Sequence, residues 1–245
     1  MDKGLNVSRQ PIGNGVFIYT SKHHSFGTDA VLLADFARPK PKDRMIDLGT
    51  GCGIIPFLIL RDRKLSDCIG IDISSEATEL AEMTAKENGF EGFRALNSDF
   101  LDLKGKIEFG RATLITCNPP HKAPGAGLKN PDETDMVARH ETKCTLRDII
   151  ALSAKLLQTS GRLCLCHRPE RLAELIDLMR EFGIEPKRLR CVAQRRGEKP
   201  WLVLVEGRRC GNTGLDIENE LYIEENGDFS PEMKEIYSYY KEGHR

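Results

Sequence analysis

Two kinds of apolar pattern alternate along this chain. Short apolar runs of strand length lie at residues 44–49, 67–72, 112–117 and 161–167, and each is followed, directly or after a loop, by a segment with helical spacing. The helix predicted over residues 75–89 ends in an Asn-Gly pair, which is typical of a helix C-cap. Strands that alternate with helices of about 10–15 residues predict a parallel sheet with helices on both faces.

The last two predicted strands, 187–193 and 200–207, have a different connection. Only "QRRGEK" joins them, which is too short for a crossover helix, so these strands should be antiparallel. We therefore expect an α/β fold in three parts. An N-terminal strand or hairpin element (1–27) precedes one α/β domain (28–210), and a C-terminal tail (211–245) packs on that domain.

The composition is that of a globular protein without export or membrane signals. Of the 245 residues, 40% are hydrophobic, and no apolar run approaches the roughly 20 residues of a membrane helix. The start, "MDKGLNVSRQPIGNG", has no apolar signal region. The eight cysteines form no CxxC pair or metal-binding spacing, and Cys164 and Cys166 alternate on one strand, which indicates buried, reduced thiols. We expect a cytoplasmic protein with no metal and no membrane partner.

The charge is balanced overall but unevenly distributed. The net charge of −1 does not indicate a nucleic-acid binder, yet residues 187–209 hold eight basic side chains against Glu198 and Glu206. Such a cluster is either a solvated rim or a patch that faces phosphates. Composition does not decide between them.

The first chemical motif is "DLGTGCG", between the first central strand and its helix. It contains Asp47, Gly49, Thr50, Gly51 and Gly53. Ligands bind at this position in α/β sheets, because glycines allow a close approach to the backbone and the helix N-terminus favours an anion. An ordinary strand-to-helix turn is the alternative interpretation.

Two further candidates follow the next two strands. Asp72 and Ile73 end the second strand, and a carboxylate there can accept both hydroxyls of a ribose. Alternatively Asp72 caps the next helix, although Ser74 could do so instead. A further strand is predicted at "FRALN", residues 93–97. Asp99 and Phe100, in "NSDF" at its end, could hydrogen-bond and stack an adenine, or form a simple turn.

Together the three loops should lie side by side at the carboxyl ends of neighbouring strands. The glycine loop reads GxGxG rather than the GxGxxG dinucleotide fingerprint, and an aspartate precedes it. A dinucleotide needs its pyrophosphate at the glycines, whereas S-adenosylmethionine has an ammonium group for Asp47 to balance. An antiparallel final strand also belongs to methyltransferases rather than dehydrogenases. These patterns predict an S-adenosylmethionine site.

The fourth motif is Asn118, Pro119, Pro120 and His121. Two prolines end a strand because neither has an N–H to donate to the sheet. The motif thus places a carboxamide at a strand end, beside the predicted cofactor loops. A plain turn would explain the same four residues.

The chain resembles the class I S-adenosylmethionine-dependent methyltransferases that have an (Asn/Asp)-Pro-Pro-(aromatic) motif. Within them it resembles the bacterial tRNA (adenine-N6)-methyltransferase family, which modifies the adenosine beside the anticodon of valine tRNA. The resemblance is carried by "SFGTDAVLLADFA", "DLGTGCGIIPFLIL", "IDI" and "CNPP", and more loosely by "ARHE", "EPKRLR" and "LVE". It implies a Rossmann-like, seven-stranded, mostly parallel sheet with an antiparallel last strand.

The resemblance also implies roles for individual residues. The Asn118 side-chain oxygen and the Pro119 carbonyl would accept hydrogen bonds from a planar amine. Thr28 and Asp29 would lie beside the cofactor, although Thr28 could instead cap its helix. His121 departs from the family, which has an aromatic residue that stacks on the flipped base. This departure implies weaker stacking, a different substrate or lapsed activity.

The expected function is methylation of the exocyclic amine of adenine in tRNA, of the adenosine-37 type. The alternatives are methylation of a glutamine amide in a protein such as a release factor, other nucleic-acid amines, and a cofactor- or RNA-binding protein without activity. Only about 40 residues precede Asp47, too few for the helical domain of the protein methyltransferases, which favours RNA. The oligomeric state, monomer or weak dimer, stays open. The suggested tRNA phosphate contacts are Lys22, His23, His24, Arg195 and Arg196.

Overall fold

The computed structural model describes residues 7–119 and 144–241. In these residues the helices are α1 (Thr28–Phe36), α2 (Ile54–Asp62), α3 (Ser75–Asn88), α4 (Leu146–Leu156), α5 (Leu172–Glu181) and α6 (Pro231–Lys241). The longer strands are β1 (Val7–Gly13), β2 (Val16–Ser21), β3 (Arg44–Leu48), β4 (Asp67–Asp72), β5 (Phe93–Asn97), β6 (Ala112–Cys117), β7 (Leu157–His167), β8 (Ile184–Ala193) and β9 (Leu202–Arg209). Four two-residue strands follow, β10 (Asp216–Ile217), β11 (Leu221–Tyr222), β12 (Glu224–Glu225) and β13 (Asp228–Phe229).

The central sheet has the strand order β5-β4-β3-β6-β7-β9-β8-β10, and β11 also pairs with β8. The pairs from β5 to β7 are parallel, whereas β9 is antiparallel to both of its neighbours. The predicted α/β fold, with an antiparallel last strand among seven, is confirmed. The segment after residue 210 adds β10 and β11, because it runs along the edge of β8 and pairs with its backbone there.

Each face of the sheet has its own apolar core. Adjacent strand residues point to opposite faces, so Met45 packs with α1, α2 and α3 whereas Ile46 packs with α4 and α5. Cys164 and Cys166 lie on the first of these faces, and both are fully buried free thiols, as their alternation predicts. No helix within residues 7–119 and 144–241 is long and apolar enough to cross a membrane.

The N-terminal hairpin of β1 and β2 packs on α3. The Phe17 N–H donates to Asn88 Oδ1 (3.0 Å), and the Tyr19 N–H donates to Thr84 Oγ1 (3.0 Å). The strand then runs toward the N-terminus of α3, where the Ser21 hydroxyl donates to Glu76 Oε1 at 2.5 Å. The loop between β2 and α1 therefore lies near the carboxyl ends of the central strands.

A buried ionic cluster, formed by Asp43, Arg162, Arg188 and Glu206, fixes the other end of α1. Glu206 Oε2 accepts from Arg188 (2.8 Å) and Arg162 (3.4 Å), and Arg162 also binds Asp43 at 3.0 Å. Arg188 donates a further hydrogen bond to the Phe36 carbonyl (2.6 Å). Because the cluster holds the last turn of α1, it also helps to fix where the first turn of that helix lies.

Candidate active site

The glycine loop after β3 is tied to the neighbouring strand and held open. The Gly49 N–H donates to the Ile71 carbonyl (2.9 Å). Gly51 (φ 55°) and Gly53 (φ 86°) have left-handed backbones, which favour glycine. A Cβ on Gly53 would lie 2.4 Å from the Phe57 ring, whereas one on Gly51 would meet nothing within 4 Å. The loop thus presents bare backbone to a space that a ligand can enter.

Asp47 is buried below this loop and incompletely bonded. It is 1% exposed, and its Oδ1 accepts from Thr116 Oγ1 at 2.5 Å. Its Oδ2 and the buried Thr50 Oγ1 have no hydrogen-bond partner among the described residues. Buried polar atoms are rarely left unpaired, because each costs about 1–3 kcal/mol. Two such atoms beside a glycine loop indicate a place for a polar, cationic ligand group.

The surroundings of Asp47 give it an unusual protonation equilibrium. Burial raises the pKa of Asp47 to about 7. The Thr116 and Thr50 hydroxyls lower this pKa, although Thr50 is not in hydrogen-bonding geometry, and the negative charge of Asp72 raises it further. A bound cation would favour the ionised form. The carboxylate is therefore suited to an ammonium group.

Asp72 lies at the end of β4 with both oxygens partly engaged. Its Oδ2 accepts from the Gly51 N–H and its Oδ1 from the Ser74 N–H, each at 2.9 Å. A carboxylate oxygen has two lone pairs, so each can still accept from a ribose hydroxyl. Ser74, not Asp72, caps α3, through a bond from the Ala77 N–H (3.3 Å). Ile73, 39% exposed, follows at the rim.

The loop after β5 adjoins the loop after β4. Asn97 Nδ2 donates to the carbonyls of Asp72 (3.1 Å) and Ile73 (2.9 Å), which ties the two loops together. Asp99 and Phe100 are half-buried, and Phe100 begins a short 3₁₀ turn and packs against the core on the α4 side. Both predicted adenine contacts thus lie next to the predicted ribose contact.

Asn118, the residue after β6, is half-buried and held at both ends of its carboxamide. Its Nδ2 donates to Asp29 Oδ2 at 2.9 Å, and its Oδ1 accepts from Cys166 Sγ at 3.0 Å. Because β3 and β6 are neighbours, Asn118 lies at the same sheet edge as the loop after Asp47. Pro119 is buried. The other motif residues, Pro120 and His121, lie outside the described residues, as do Arg139, His140 and Glu141.

Thr28 and Asp29 reach the site from the first turn of α1. The N-cap of this helix is Gly27, which makes no side-chain cap bond, so the capping role considered for Thr28 is wrong. Thr28 is the first helical residue instead, and its Oγ1 accepts from the Tyr237 hydroxyl of α6 at 3.4 Å. The C-terminal helix therefore contacts the first turn of α1 beside the site.

The basic residues suggested for tRNA phosphates differ in their surroundings. Arg195 is paired with Glu224 (2.6 Å) and lies 3.7 Å from Glu198. The Arg196 guanidinium lies over the Tyr222 ring at 5.0 Å. Carboxylates of the chain thus offset the positive charge of Arg195. The Tyr222 ring carries no negative charge, so it does not offset that of Arg196.

The loop after β2 carries the other three suggested contacts. Lys22 and His23 are exposed, whereas His24 is half-buried, with its Nε2 at 3.0 Å from Ser74 Oγ. Since Ser74 also donates its N–H to Asp72, His24 lies beside the predicted ribose contact. This loop therefore borders the cofactor side of the site.

Comparison with known proteins identifies the family of this chain. A family model for the methyltransferase small domain matches residues 13–185, most of the chain. The chain belongs to this methyltransferase family. A relative from Parabacteroides distasonis is 31% identical over 218 residues, covering 86% of this chain and 90% of the relative. A relative from Porphyromonas gingivalis is 31% identical over 197 residues, 78% and 76% of the two chains.

Both relatives carry the name tRNA1(Val) (adenine(37)-N6)-methyltransferase. Among solved structures, a predicted O-methyltransferase from Agrobacterium tumefaciens is similar, with a TM-score of 0.69 and 20% identity over 86% of this chain and 96% of that one. At this identity the structural likeness establishes the methyltransferase fold alone.

Three residues of the candidate site could not be predicted from the sequence: Asn97, Thr116 and Cys166. Thr116 lies opposite Asp47 in the β3–β6 register, and Leu165 lies opposite Cys117 in the β6–β7 register, which places Cys166 beside Asn118. All three residue types are common within buried strands or at strand ends. Only the pairing of the strands shows that these residues lie at the candidate site.

Proposed function

We propose that this methyltransferase transfers a methyl group to the exocyclic N6 amine of an adenosine in tRNA, in the reaction for which its relatives are named. The observation that carries the proposal is the juxtaposition of two groups on neighbouring strands: the unpartnered Asp47 oxygen below the glycine loop and the Asn118 carboxamide. The first fits a cationic cofactor group and the second fits a planar amine. We place the reaction in the cytoplasm, without a metal or membrane partner.

The cofactor in this proposal is S-adenosylmethionine, which supplies an electrophilic methyl group on a sulfonium when bound. The unpartnered oxygens of Asp47 and Thr50 suit its ammonium. The remaining lone pairs of Asp72 suit the ribose hydroxyls. The residues proposed to hold the cofactor are Thr28, Asp29, Asp47, Gly49, Thr50, Gly51, Gly53, Asp72, Ile73, Asp99, Phe100 and Asn118.

In this proposal Asn118 orients the substrate. Its side-chain oxygen and the Pro119 carbonyl accept hydrogen bonds from the adenine amine, which aims the nitrogen lone pair at the methyl group. Orientation of reacting groups can lower a barrier by about 7–11 kcal/mol. The same oxygens stabilise the positive charge that develops on nitrogen. After transfer the nitrogen loses one proton to solvent, so the chain needs no strong general base. His121 would stack on the base.

Exposed basic residues near the site suit the phosphates of an RNA substrate. Lys22 and His23 extend from the loop before α1, and Arg196 follows β8 at the same edge of the sheet. Arg195 contributes less in this proposal because Glu224 already binds it. These contacts would position the RNA without reading its sequence.

The substrate class is tested with radiolabelled S-adenosylmethionine and two acceptors, unmodified total tRNA and a release factor. We expect label in tRNA. Label in the release factor instead would replace the proposal by methylation of a glutamine amide, a planar group that Asn118 could also bind. If neither acceptor is labelled, the proposal would be replaced by a cofactor- or RNA-binding protein without activity.

Two variants test the roles of the residues. Asn118→Ala should lower kcat by about 10²–10³-fold, the usual effect of removing one group that stabilises transition-state charge. Cofactor affinity, measured by calorimetry, should fall by much less than kcat, because Asn118 is only one of the twelve residues proposed to hold the cofactor. Asp72→Ala should instead weaken cofactor binding by about 10–100-fold, because charge-assisted hydrogen bonds are lost. His121→Tyr should raise turnover if the histidine stacks only weakly.

A further inference from the structure

The Asn118 carboxamide can adopt two orientations between its neighbouring side chains. Rotation by 180° exchanges the oxygen and the NH₂ group with almost no change in shape. Only the oxygen can accept a hydrogen bond from a substrate amine, whereas the NH₂ group would repel it. An enzyme that uses this side chain therefore needs neighbours that favour one of the two orientations.

Asp29 and Cys166 are such neighbours. A carboxylate accepts hydrogen bonds only, so Asp29 Oδ2, at 2.9 Å, requires the NH₂ group of Asn118 on its side. At the other end Cys166 Sγ lies 3.0 Å from the amide oxygen. Burial, and to a lesser extent the charge of Asp29, holds the pKa of Cys166 well above its usual value, so the sulfur keeps its proton and can donate it.

We propose that Asp29 and Cys166 are positioning residues that set the orientation of the Asn118 carboxamide, so that its oxygen is presented to the substrate amine. The inference rests on the proposed function. Cys166 uses one lone pair of the oxygen, and the second remains for the amine. Asp29 thus acts through Asn118, in addition to any contact with the cofactor.

The start of α1 is built around this carboxylate. A Cβ on Gly27 would lie 2.6 Å from Asp29 Oδ1, although the Gly27 backbone, with φ −112°, is one that any residue adopts. A side chain at this position would therefore displace the Asp29 carboxylate, for reasons of space rather than of backbone conformation. An acidic residue in a first helical turn also stabilises the helix, so the test has to separate stability from positioning.

The decisive test exchanges the two side chains. Asp29→Asn replaces a group that only accepts by an amide that can accept or donate, so it no longer favours one orientation of Asn118. It should lower kcat by about 10–100-fold, since a misplaced group can cost about 10². Asn118→Asp places two carboxylates in contact, which cannot both be ionised, so its activity should fall and become pH-dependent. The double variant Asp29→Asn/Asn118→Asp restores a donor and an acceptor with reversed polarity. It should be more active than Asn118→Asp alone.

Readouts other than activity accompany this exchange. Cofactor affinity by calorimetry should change less than kcat across the set, because the other residues proposed to hold the cofactor are kept. Carboxyl titration by NMR should show a raised pKa in Asn118→Asp that disappears in the double variant. Gly27→Ala should reproduce the kcat loss of Asp29→Asn, because its methyl group displaces the carboxylate.

Cys166 is tested against a matched cysteine. Cys166→Ala should lower kcat by about 2–10-fold, the effect of one neutral hydrogen bond, and Cys166→Ser, which keeps a donor, should recover most of it. Cys164→Ala is the control, because Cys164 is equally buried on the same face of β7 but contacts Glu206 instead. It should lower stability to a similar degree and leave kcat unchanged.

The outcomes separate this inference from the proposed function. If the wild-type protein methylates neither tRNA nor protein, the proposed function fails, while a raised carboxyl pKa in Asn118→Asp would still support the contact with Asp29. If Asn118→Ala is inactive but Asp29→Asn keeps full kcat, or the double variant is no better than Asn118→Asp, the positioning role is overturned.

Discussion

Two buried carboxylates in this protein, Glu206 and Asp47, differ in whether the chain supplies them with charged partners. Glu206 is 5% exposed and accepts hydrogen bonds from Arg162 and Arg188 in the ionic cluster. Asp47 is 1% exposed, and one of its oxygens has no partner among the described residues. The chain thus pairs Glu206 internally, whereas Asp47 keeps one oxygen that our proposed function assigns to the cofactor. This contrast distinguishes a buried carboxylate that stabilises the fold from one that we propose binds a ligand.

The difference has an energetic consequence. Arginine partners compensate the loss of hydration at Glu206, whereas burial of Asp47 raises its pKa to about 7, against an ordinary value of 3.8. The folded, ligand-free protein therefore prefers Asp47 protonated at mildly acidic pH. Ionisation at higher pH costs stability until a cation binds. Ionised Asp47 therefore destabilises the folded protein at the candidate site, and the proposed cofactor would offset this cost.

Removal of the paired charge should have the largest effect. Glu206→Gln leaves two arginines short of a partner, and loss of one member of a buried ion pair typically costs about 3–5 kcal/mol. We expect the free energy of unfolding, measured with urea, to fall by about this amount. Glu181→Gln is the control, since its pair with Arg147 is exposed and should contribute about 1 kcal/mol or less. Equal losses in the two variants would remove the distinction drawn for the ionic cluster.

Neutralisation of the unpaired charge should act in the opposite direction. The folded pKa of Asp47, about 7, lies above the unfolded value of 3.8, so the wild-type protein loses stability as pH rises through that window. At pH 8 the difference corresponds to about 4 kcal/mol. Asp47→Asn should therefore be more stable than wild type at pH 8 and similar to it near pH 4, by urea unfolding at both values.

The same variant should lose cofactor affinity. Calorimetry should show that S-adenosylmethionine binds wild type more tightly as pH rises from 6 to 8, whereas Asp47→Asn shows little pH dependence. If the difference in free energy of unfolding between wild type and Asp47→Asn did not change with pH, Asp47 would be ionised in the folded protein, with its charge compensated by neighbouring groups.

The smallest expected effect is on tRNA binding, and it compares two surface arginines, one paired with a carboxylate and one not. Arg196→Ala should weaken tRNA binding a few-fold and reduce the slope of log affinity against log salt by about 1, the effect of one phosphate contact. Arg195→Ala should change both less, because Glu224 already binds Arg195. Filter-binding titrations at several salt concentrations measure both quantities. A larger effect for Arg195 would show that its ion pair opens for RNA.

The sequence by itself determined the α/β fold and the positions of Asp47, Asp72 and Asn118 at strand ends. It could do so because hydrophobic periodicity, glycine spacing and proline are local signals, and parallel strands bring their carboxyl ends to one edge. The antiparallel last strand followed from the length of a six-residue connection. These features depend on neighbours in the chain.

Only the tertiary structure decided how the side chains meet. Asp29 and Asn118 are 89 residues apart, and their contact depends on the docking of α1 and the register of β6. The pairing of Arg162 with Glu206, and the β10 and β11 strands added to β8, arise in the same way. A hydrogen bond requires atoms about 3 Å apart. That precision comes from packing across the sheet, which no local pattern encodes.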